Sequence, residues 1–159
     1  MAIAVAFLLV LLGLMYWGWR GRQRRQNGIP KPQGAPAELG AHLATASGFY
    51  VATTIAGEQL NRVAVGGLGF RARVEVTVSE AGIAFGIPGQ DVFVPAGDVT
   101  SADRATWTID RVVEEDGLVR IGWTLGETAV ESYFRVNEPH ELLAAAGAVI
   151  SNRTGRAAQ

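Results

Sequence analysis

The hydrophobic pattern of the chain changes twice along its length. Residues 1–19 are apolar apart from two glycines and contain no charged side chain. From residue 49 to residue 136 apolar and polar positions alternate, which indicates half-buried antiparallel strands. From residue 137 the apolar positions recur every three or four residues, which indicates an amphipathic helix. The pattern therefore predicts one apolar helix, about seven short strands and one closing helix.

Turn signals divide the alternating region into strands. FRARVEVTVS at 70–79 alternates without error, with Phe70 opening an apolar face that ends at Val78. Asp116-Gly117 is a strong hairpin signal, and the acidic residues before it would mark a solvated hairpin tip. Trp107 and Trp123 are predicted to fill the core. The predicted strand segments are 49–55, 70–79, 82–87, 91–95, 99–107, 108–113, 118–125 and 128–136.

The closing helix has start signals of its own. Asn137 can cap it, Pro139 suits its first turn, and Glu141 favours the positive end of the helix dipole. The polar residues 152–159 that follow are predicted to form a flexible tail. The apolar face is predicted to consist of Leu142, Leu143, Ala146, Val149 and Ile150.

The apolar opening segment is predicted to be a transmembrane helix. Nineteen helical residues extend roughly 28 Å, close to the thickness of the hydrocarbon core. Aromatic residues followed by arginines are typical of a spanning helix that ends at the headgroups. A cleaved signal peptide fits less well, because no cation precedes the segment and no small-residue cleavage site follows it. The residues at this boundary are Tyr16, Trp17, Trp19, Arg20, Arg22, Arg24 and Arg25.

The same arginines predict the orientation. Positive residues stay on the cytoplasmic side, and here they lie only after the apolar segment. The expected protein is therefore a single-pass plasma-membrane protein with its N-terminus outside and its C-terminal domain in the cytoplasm. The lipid bilayer is its first expected partner. Residues 20–47, rich in proline and glycine, are predicted to form a basic linker before a domain at 48–151.

The charge of the domain limits its partners. Of the 14 basic residues five precede residue 32, so residues 32–159 contain nine basic against 15 acidic residues, a net charge of −6. Nucleic acid is not an expected partner, because its phosphates need a dense cationic surface. An anionic membrane also repels such a body, so any contact with lipid must be local.

The sequence contains no recognisable catalytic or metal site. There is no cysteine, and the two histidines, His42 and His140, have no neighbouring residues that indicate a triad or a closed zinc site. The glycine-rich VGGLGF at 65–70 lacks the lysine and the following helix of a phosphate-binding loop, so a turn is favoured. We therefore expect no enzyme activity, no cofactor and no metal.

Arg62, Arg71 and Arg73 are the candidate ligand-binding residues. Arg71 and Arg73 share the polar face of one predicted strand, and guanidinium groups suit bidentate contacts to phosphate. Their spacing resembles that of the basic residues with which pleckstrin-homology domains bind phosphoinositides. The alternative is that Glu58 and Glu75 neutralise them on a solvated face.

GFYVATTIAGEQLNRVAVGGLGFRARVEVTV, DVFVPA and GLVRIGWTLG resemble segments of small actinobacterial membrane proteins with a bacterial PH-like domain, an uncharacterised family often described as membrane or export proteins. The resemblance implies a mainly β fold, a bent antiparallel barrel or sandwich of about seven strands with one C-terminal helix. We expect a membrane-tethered, non-enzymatic module that binds an unidentified protein. The alternatives are anionic lipid headgroup binding and an accessory role in a transport or export complex.

Overall fold

The alternating region forms one antiparallel sheet, and each end of the sequence forms a helix. The structure, a computed structural model, describes residues 2–26, 28–106 and 117–157. Helix α1 comprises Ala2–Gln26 and helix α2 comprises Pro139–Ala157, and a single 3-10 turn lies at Val65–Gly67. The strands are β1 His42–Ile55, β2 Glu58–Arg62, β3 Ala72–Ser79, β4 Gly82–Ile87, β5 Gln90–Pro95, β6 Val99–Ala105, β7 Leu118–Leu125 and β8 Thr128–Val136.

The sheet is open, not a closed barrel. Its order is β5-β4-β3-β1-β8-β7-β6, and β2 pairs with β1 outside this path. Within the described ranges, β5 and β6 form the two ends of the path and do not pair with each other. The predicted content, antiparallel strands followed by one helix, is confirmed, whereas the predicted closure into a barrel or sandwich is not observed.

The sheet bends strongly around three aromatic rings. Phe85 of β4 and Phe134 of β8 are separated by two strands, so in a flat sheet they would lie roughly 14 Å apart. Their ring centroids are 5.1 Å apart. Tyr50 of β1 lies between them, at 5.5 Å from Phe85 and 5.6 Å from Phe134. The inner face of the sheet therefore wraps around a single core.

Buried hydroxyl groups connect the strands inside this core. The Tyr50 hydroxyl donates to the carbonyl oxygen of Leu68 at 2.6 Å and lies 2.7 Å from Thr53 Oγ1. The Thr53 hydroxyl continues to Ser132 Oγ at 2.7 Å, which accepts the indole N–H of Trp123 at 2.9 Å. Burial raises the pKa of Tyr50, so this hydroxyl stays protonated. Trp123 is a core residue as predicted, and Trp107 lies outside the described residues.

A short segment before β1 packs across one end of the sheet. We call residues 29–33 the strap. Ile29 is 9% exposed and belongs to the core, while Pro30 contacts the β7–β8 turn at Gly126. The Gln33 carbonyl oxygen accepts the Phe93 N–H at 2.7 Å, and the Gln90 side-chain amide donates to the Pro32 carbonyl oxygen at 3.3 Å. The strap is therefore held on the sheet by the buried Ile29 side chain and by these two hydrogen bonds.

The structure thus differs from the predicted linker over 20–47. Helix α1 continues to Gln26, the strap packs on the sheet, and β1 begins at His42, seven residues before the predicted strand. The alternation at 42–48 is weak because residues 44–48 have small side chains. Sequence analysis also missed β2, whose five residues are all exposed. The predicted strand 108–113 and the acidic hairpin tip lie outside the described residues.

The predicted apolar helix is present as α1, but its membrane crossing is not supported. In the described part of the chain, no helix combines the length and the apolarity that a membrane crossing needs. Trp19 and the four boundary arginines lie within the helix, which does not end at the aromatic residues. Tyr16 and Trp17 are exposed. The large apolar side chains described in 5–15 are exposed as well.

Helix α2 forms as predicted and is longer at its end. Leu142, Ala146 and Val149 are buried in the core, and Glu141 lies in the first turn. The helix continues to Ala157, through most of the predicted flexible tail. The Arg153 guanidinium donates to the carbonyl oxygens of Gly97 and Val99 at 3.0 Å and 2.9 Å. This contact attaches the helix end to the β5–β6 turn.

Replacing Gly126 by alanine tests the strap. Both Gly126 and Gly57 have positive φ, at 64° and 76°, so alanine strains the backbone similarly at each. At Gly126 the new Cβ would also lie 2.7 Å from Pro30 Cγ, whereas at Gly57 it meets open space. We expect G126A to lose about 1–3 kcal/mol more unfolding free energy than G57A in denaturant titrations. Equal losses would show that the strap contributes nothing at this turn.

Arg153→Ala tests the attachment of the helix end. The two hydrogen bonds from a charged donor should be worth about 1–2 kcal/mol of unfolding free energy together. The neighbouring Thr154→Ala variant removes only a hydroxyl bonded within the helix and should cost less. Thermal unfolding of both variants measures the difference. A frayed helix end would instead make the two variants alike.

Candidate functional site

Two of the three predicted arginines meet on one aromatic ring. The guanidinium carbons of Arg71 and Arg73 lie 5.2 Å and 5.7 Å from the centroid of the Phe49 ring. Phe49 is 37% exposed, on the outer face of the sheet opposite the core. Stacking on an aromatic face favours arginine and limits its rotamers. The pair therefore presents two ordered positive charges to solvent.

Arg62 lies apart from this pair. It is exposed at the end of β2, opposite Thr54 of β1. Thr54 is five residues along β1 from Phe49, roughly 16 Å in an extended strand. The structure therefore does not bring the three predicted arginines into one row, and binding by them as a set remains a prediction.

A further arginine completes the row and was missed from sequence. Phe49 pairs with Arg73 of β3 on one side and with Arg135 of β8 on the other. Directly paired residues share a face with their Cβ atoms about 5 Å apart. We call Phe49, Arg71, Arg73 and Arg135 the Phe49 platform. Alternation places Arg135 outward in FRV, but only the strand order β3-β1-β8 brings it beside Phe49.

An open hollow of about 460 Å³ adjoins the platform. Phe49 and Arg73 belong to its lining. At Gly48 the strands approach so closely that a side chain would overlap the Arg135 carbonyl oxygen and lie 2.7 Å from Val136 Cα. Glycine is therefore required at position 48 for β1 to pair with β8. The lining consists of Ser47, Gly48, Phe49, Arg73, Val74, Glu75 and Asn137.

Other described arginines of the domain are engaged in structural contacts. Arg120 pairs with Asp103 at 3.2 Å and with Glu131 at 3.5 Å, and Arg153 binds carbonyl oxygens. Within the described ranges, neither Arg73 nor Arg135 forms an ion pair. The platform is therefore a concentration of positive charge on an otherwise acidic domain.

The cluster around Arg120 is the main alternative on the outer face. The Tyr133 hydroxyl donates to Glu131 Oε2 at 2.8 Å, and burial together with this carboxylate raises the pKa of Tyr133 to about 12. Arg120 Nη2 donates to Asp103 Oδ2 at 3.2 Å. The Arg120 charge is thus paired with two carboxylates across β6, β7 and β8, so this cluster links the three strands and adds no excess positive charge to the outer face.

Two large apolar side chains of the domain are strongly exposed. Leu60 is 81% exposed because β1 and β2 pair at Ile55–Glu58 and again at Thr54–Arg62, so residues 59–61 bulge outward. Phe70 is 73% exposed. The prediction that Phe70 begins the inner face of β3 is wrong, since the strand starts at Ala72 and the Phe70 N–H bonds to Gly67 in a turn.

Leu60 lies at the end of the sheet that the strap covers. We call this the strap end: the β1–β2, β4–β5 and β7–β8 turns, the 3-10 turn and the strap. Pro32 approaches Gly66 of the 3-10 turn, Pro30 contacts Gly126, and the Ala56 N–H bonds to Ala129 beside that turn. The strap end is therefore where the chain passes from α1 into the domain.

The described residues contain no group of acidic or histidine side chains suited to hold a metal ion. His42 Nε2 lies 2.7 Å from Thr45 Oγ1, and His140 Nε2 lies 3.1 Å from an Arg104 nitrogen. Each histidine is exposed and bonded to one neighbour.

The bent sheet closed by one C-terminal helix has a counterpart among known families. A family model described as Bacterial PH domain-like matches residues 29–149. The chain belongs to this family. The match begins at the strap, in agreement with its packing on the sheet. A search of curated proteins finds no match. Membership supports a PH-like module for protein or lipid interaction and does not name its ligand.

Proposed function

We propose that this PH-like protein is a membrane-associated, non-enzymatic module that binds a protein partner. The observation that carries the proposal is the position of Leu60. It protrudes, strongly exposed, from the same end of the domain at which the chain enters from the apolar helix α1. Because Leu60 and helix α1 are both apolar and lie at the same end of the domain, we infer that both contact lipid.

Helix α1 supports membrane association through its surface. The stretch 1–19 contains no charged residue, and all its described large apolar side chains are at least half exposed. An apolar surface of this kind on every side of a helix is stable only when lipid or protein covers it. The boundary arginines favour the inner leaflet, which supports a cytoplasmic domain. The proposal requires only that α1 associates with lipid.

The short connection places the strap end near the lipid. Only residues 27 and 28 separate α1 from the strap. Such a connection reaches at most about 10 Å. When α1 is in the membrane, the strap end is therefore the part of the domain nearest to it, and Leu60 lies at that end.

A protein partner agrees better with the domain than a lipid headgroup. The net charge of −6 opposes binding to an anionic surface, and the Phe49 platform lies six residues along β1 from Ile55, about 20 Å from the strap end. A subunit of a transport complex would be one such partner. Headgroup binding remains the second candidate function, because Arg62 follows the Leu60 bulge and would lie near the lipid.

Charge in the middle of α1 tests the association. Leu9 and Leu12 lie in the uncharged stretch, and an arginine at the centre of a bilayer costs about 2.5–3.5 kcal/mol. The native chain should remain with membranes after alkaline carbonate extraction, and L9R/L12R should be released. Thr154→Arg, an exposed change on α2, is the charge control. Release of the native chain by carbonate would contradict anchoring through α1.

A cysteine probe tests the position of the strap end. The chain has no cysteine, so Leu60→Cys can carry a single polarity-sensitive fluorophore. Glu80→Cys, an exposed site in the β3–β4 turn at the other end of β1, is the control. In proteoliposomes we expect blue-shifted emission and quenching by lipid-soluble quenchers at position 60 only. Equal aqueous quenching at both positions would show that the strap end does not face lipid.

A further inference from the structure

We propose that the Phe49 platform binds an acidic and partly apolar segment of a partner protein. The inference deepens the proposed function, because it assigns a surface and a ligand chemistry to protein binding. It rests on the interaction role of the domain and does not require membrane association. The platform differs from the predicted arginine set, since Arg62 is absent from it and Arg135 and Phe49 belong to it.

Charge complementarity identifies the acidic character of the ligand. Arg73 and Arg135 flank Phe49 on neighbouring strands, and Arg71 stacks on the same ring. Paired residues on adjacent strands place the two flanking Cα atoms about 10 Å apart. Carboxylates that lie on the same face of an extended segment are close enough together to contact the arginines of such a row. Because the rest of the domain is acidic, the platform is where a negatively charged segment meets the least repulsion.

The aromatic ring prepares the arginines for binding. Stacking at 5.2 Å and 5.7 Å orders two guanidinium groups before any ligand arrives. Less side-chain entropy is then lost when a carboxylate binds. The planar guanidinium can offer two parallel N–H donors to one carboxylate, which lysine cannot. The row is therefore suited to carboxylates on a chain that crosses the sheet.

Exposed apolar side chains at and beside the platform indicate that the ligand is also partly apolar. Phe70 precedes Arg71 and is 73% exposed, and Phe49 is 37% exposed. The hollow beside Phe49 has room for a side chain, and Ser47 and Asn137 in its lining provide polar groups for a neighbouring backbone. Glu75 also lines the hollow and repels a carboxylate there. We therefore place carboxylates over the arginine row and a neutral side chain in the hollow.

The experiment uses the full chain in a neutral detergent and a fluorescent peptide with glutamates at two successive alternate positions and leucine at the next, so that all three side chains lie on one face of an extended segment. Fluorescence anisotropy measures its binding, and the same peptide with glutamine in place of glutamate is the charge control. We expect R73Q and R135Q each to weaken binding of the acidic peptide about two- to five-fold, and the double variant more. Phe49→Leu should weaken it as well, because the stacking surface is lost. Added salt should weaken native binding.

Arg104→Gln is the matched control, since it removes the same charge from a site on β6 that contacts His140. Denaturant unfolding of each variant separates lost binding from lost folding. Equal binding by R73Q, R135Q and R104Q would overturn the proposal, as would equal affinity for the two peptides. A further arm measures binding of a water-soluble fluorescent phosphoinositide headgroup to the same chain in neutral detergent. Loss of that binding in R73Q and R135Q, with peptide binding unchanged, would make the platform a lipid headgroup site and also overturn the proposal.

Discussion

The bend of the sheet around Tyr50 is the interaction on which the rest of the structure depends. The contacts among Tyr50, Phe85 and Phe134 bring β4 and β8, which have two strands between them, to one core. Because the bent inner face surrounds a single core, one helix is sufficient to cover one side, and α2 supplies it. The opposite opening needs a second cover, and the strap supplies that. The Tyr50 hydroxyl also holds the loop at Leu68 against β1, because it donates a hydrogen bond to the Leu68 carbonyl oxygen.

Strand β1 belongs both to the bent core and to the outer face of the sheet. It is 14 residues long, pairs with β3 in its first part and with β8 in its second, and overlaps both around Gly48 and Phe49. At this crossover the backbones are too close for any side chain at position 48. The residue after it presents a ring between arginines of two strands. The platform is thus a product of the same pairing that closes the core.

The strap joins the domain to helix α1. Ile29 of the strap packs in the core, and Gln33 bonds to β5. Only two residues therefore lie between the strap and α1. A domain attached so closely presents one defined end to whatever α1 contacts. The platform lies along β1, away from that end, where a second partner can approach from the side. The proposed attachment and the proposed recognition therefore use separate surfaces of one small sheet.

Local periodicity determined much of the fold. The alternation in 70–79 and 118–136 and the helical spacing after 137 predicted β3, β7, β8 and α2, because burial of one face imposes its period on the sequence. The small side chains at 44–48 and the exposed ones in β2 show no such period, and these segments form strands only because neighbouring strands pair with them. The same holds for the site. Sequence singled out Arg71 and Arg73, but strand order decided that Phe49 and Arg135 join them and Arg62 does not, since cross-strand neighbours are set by pairing and not by distance along the chain.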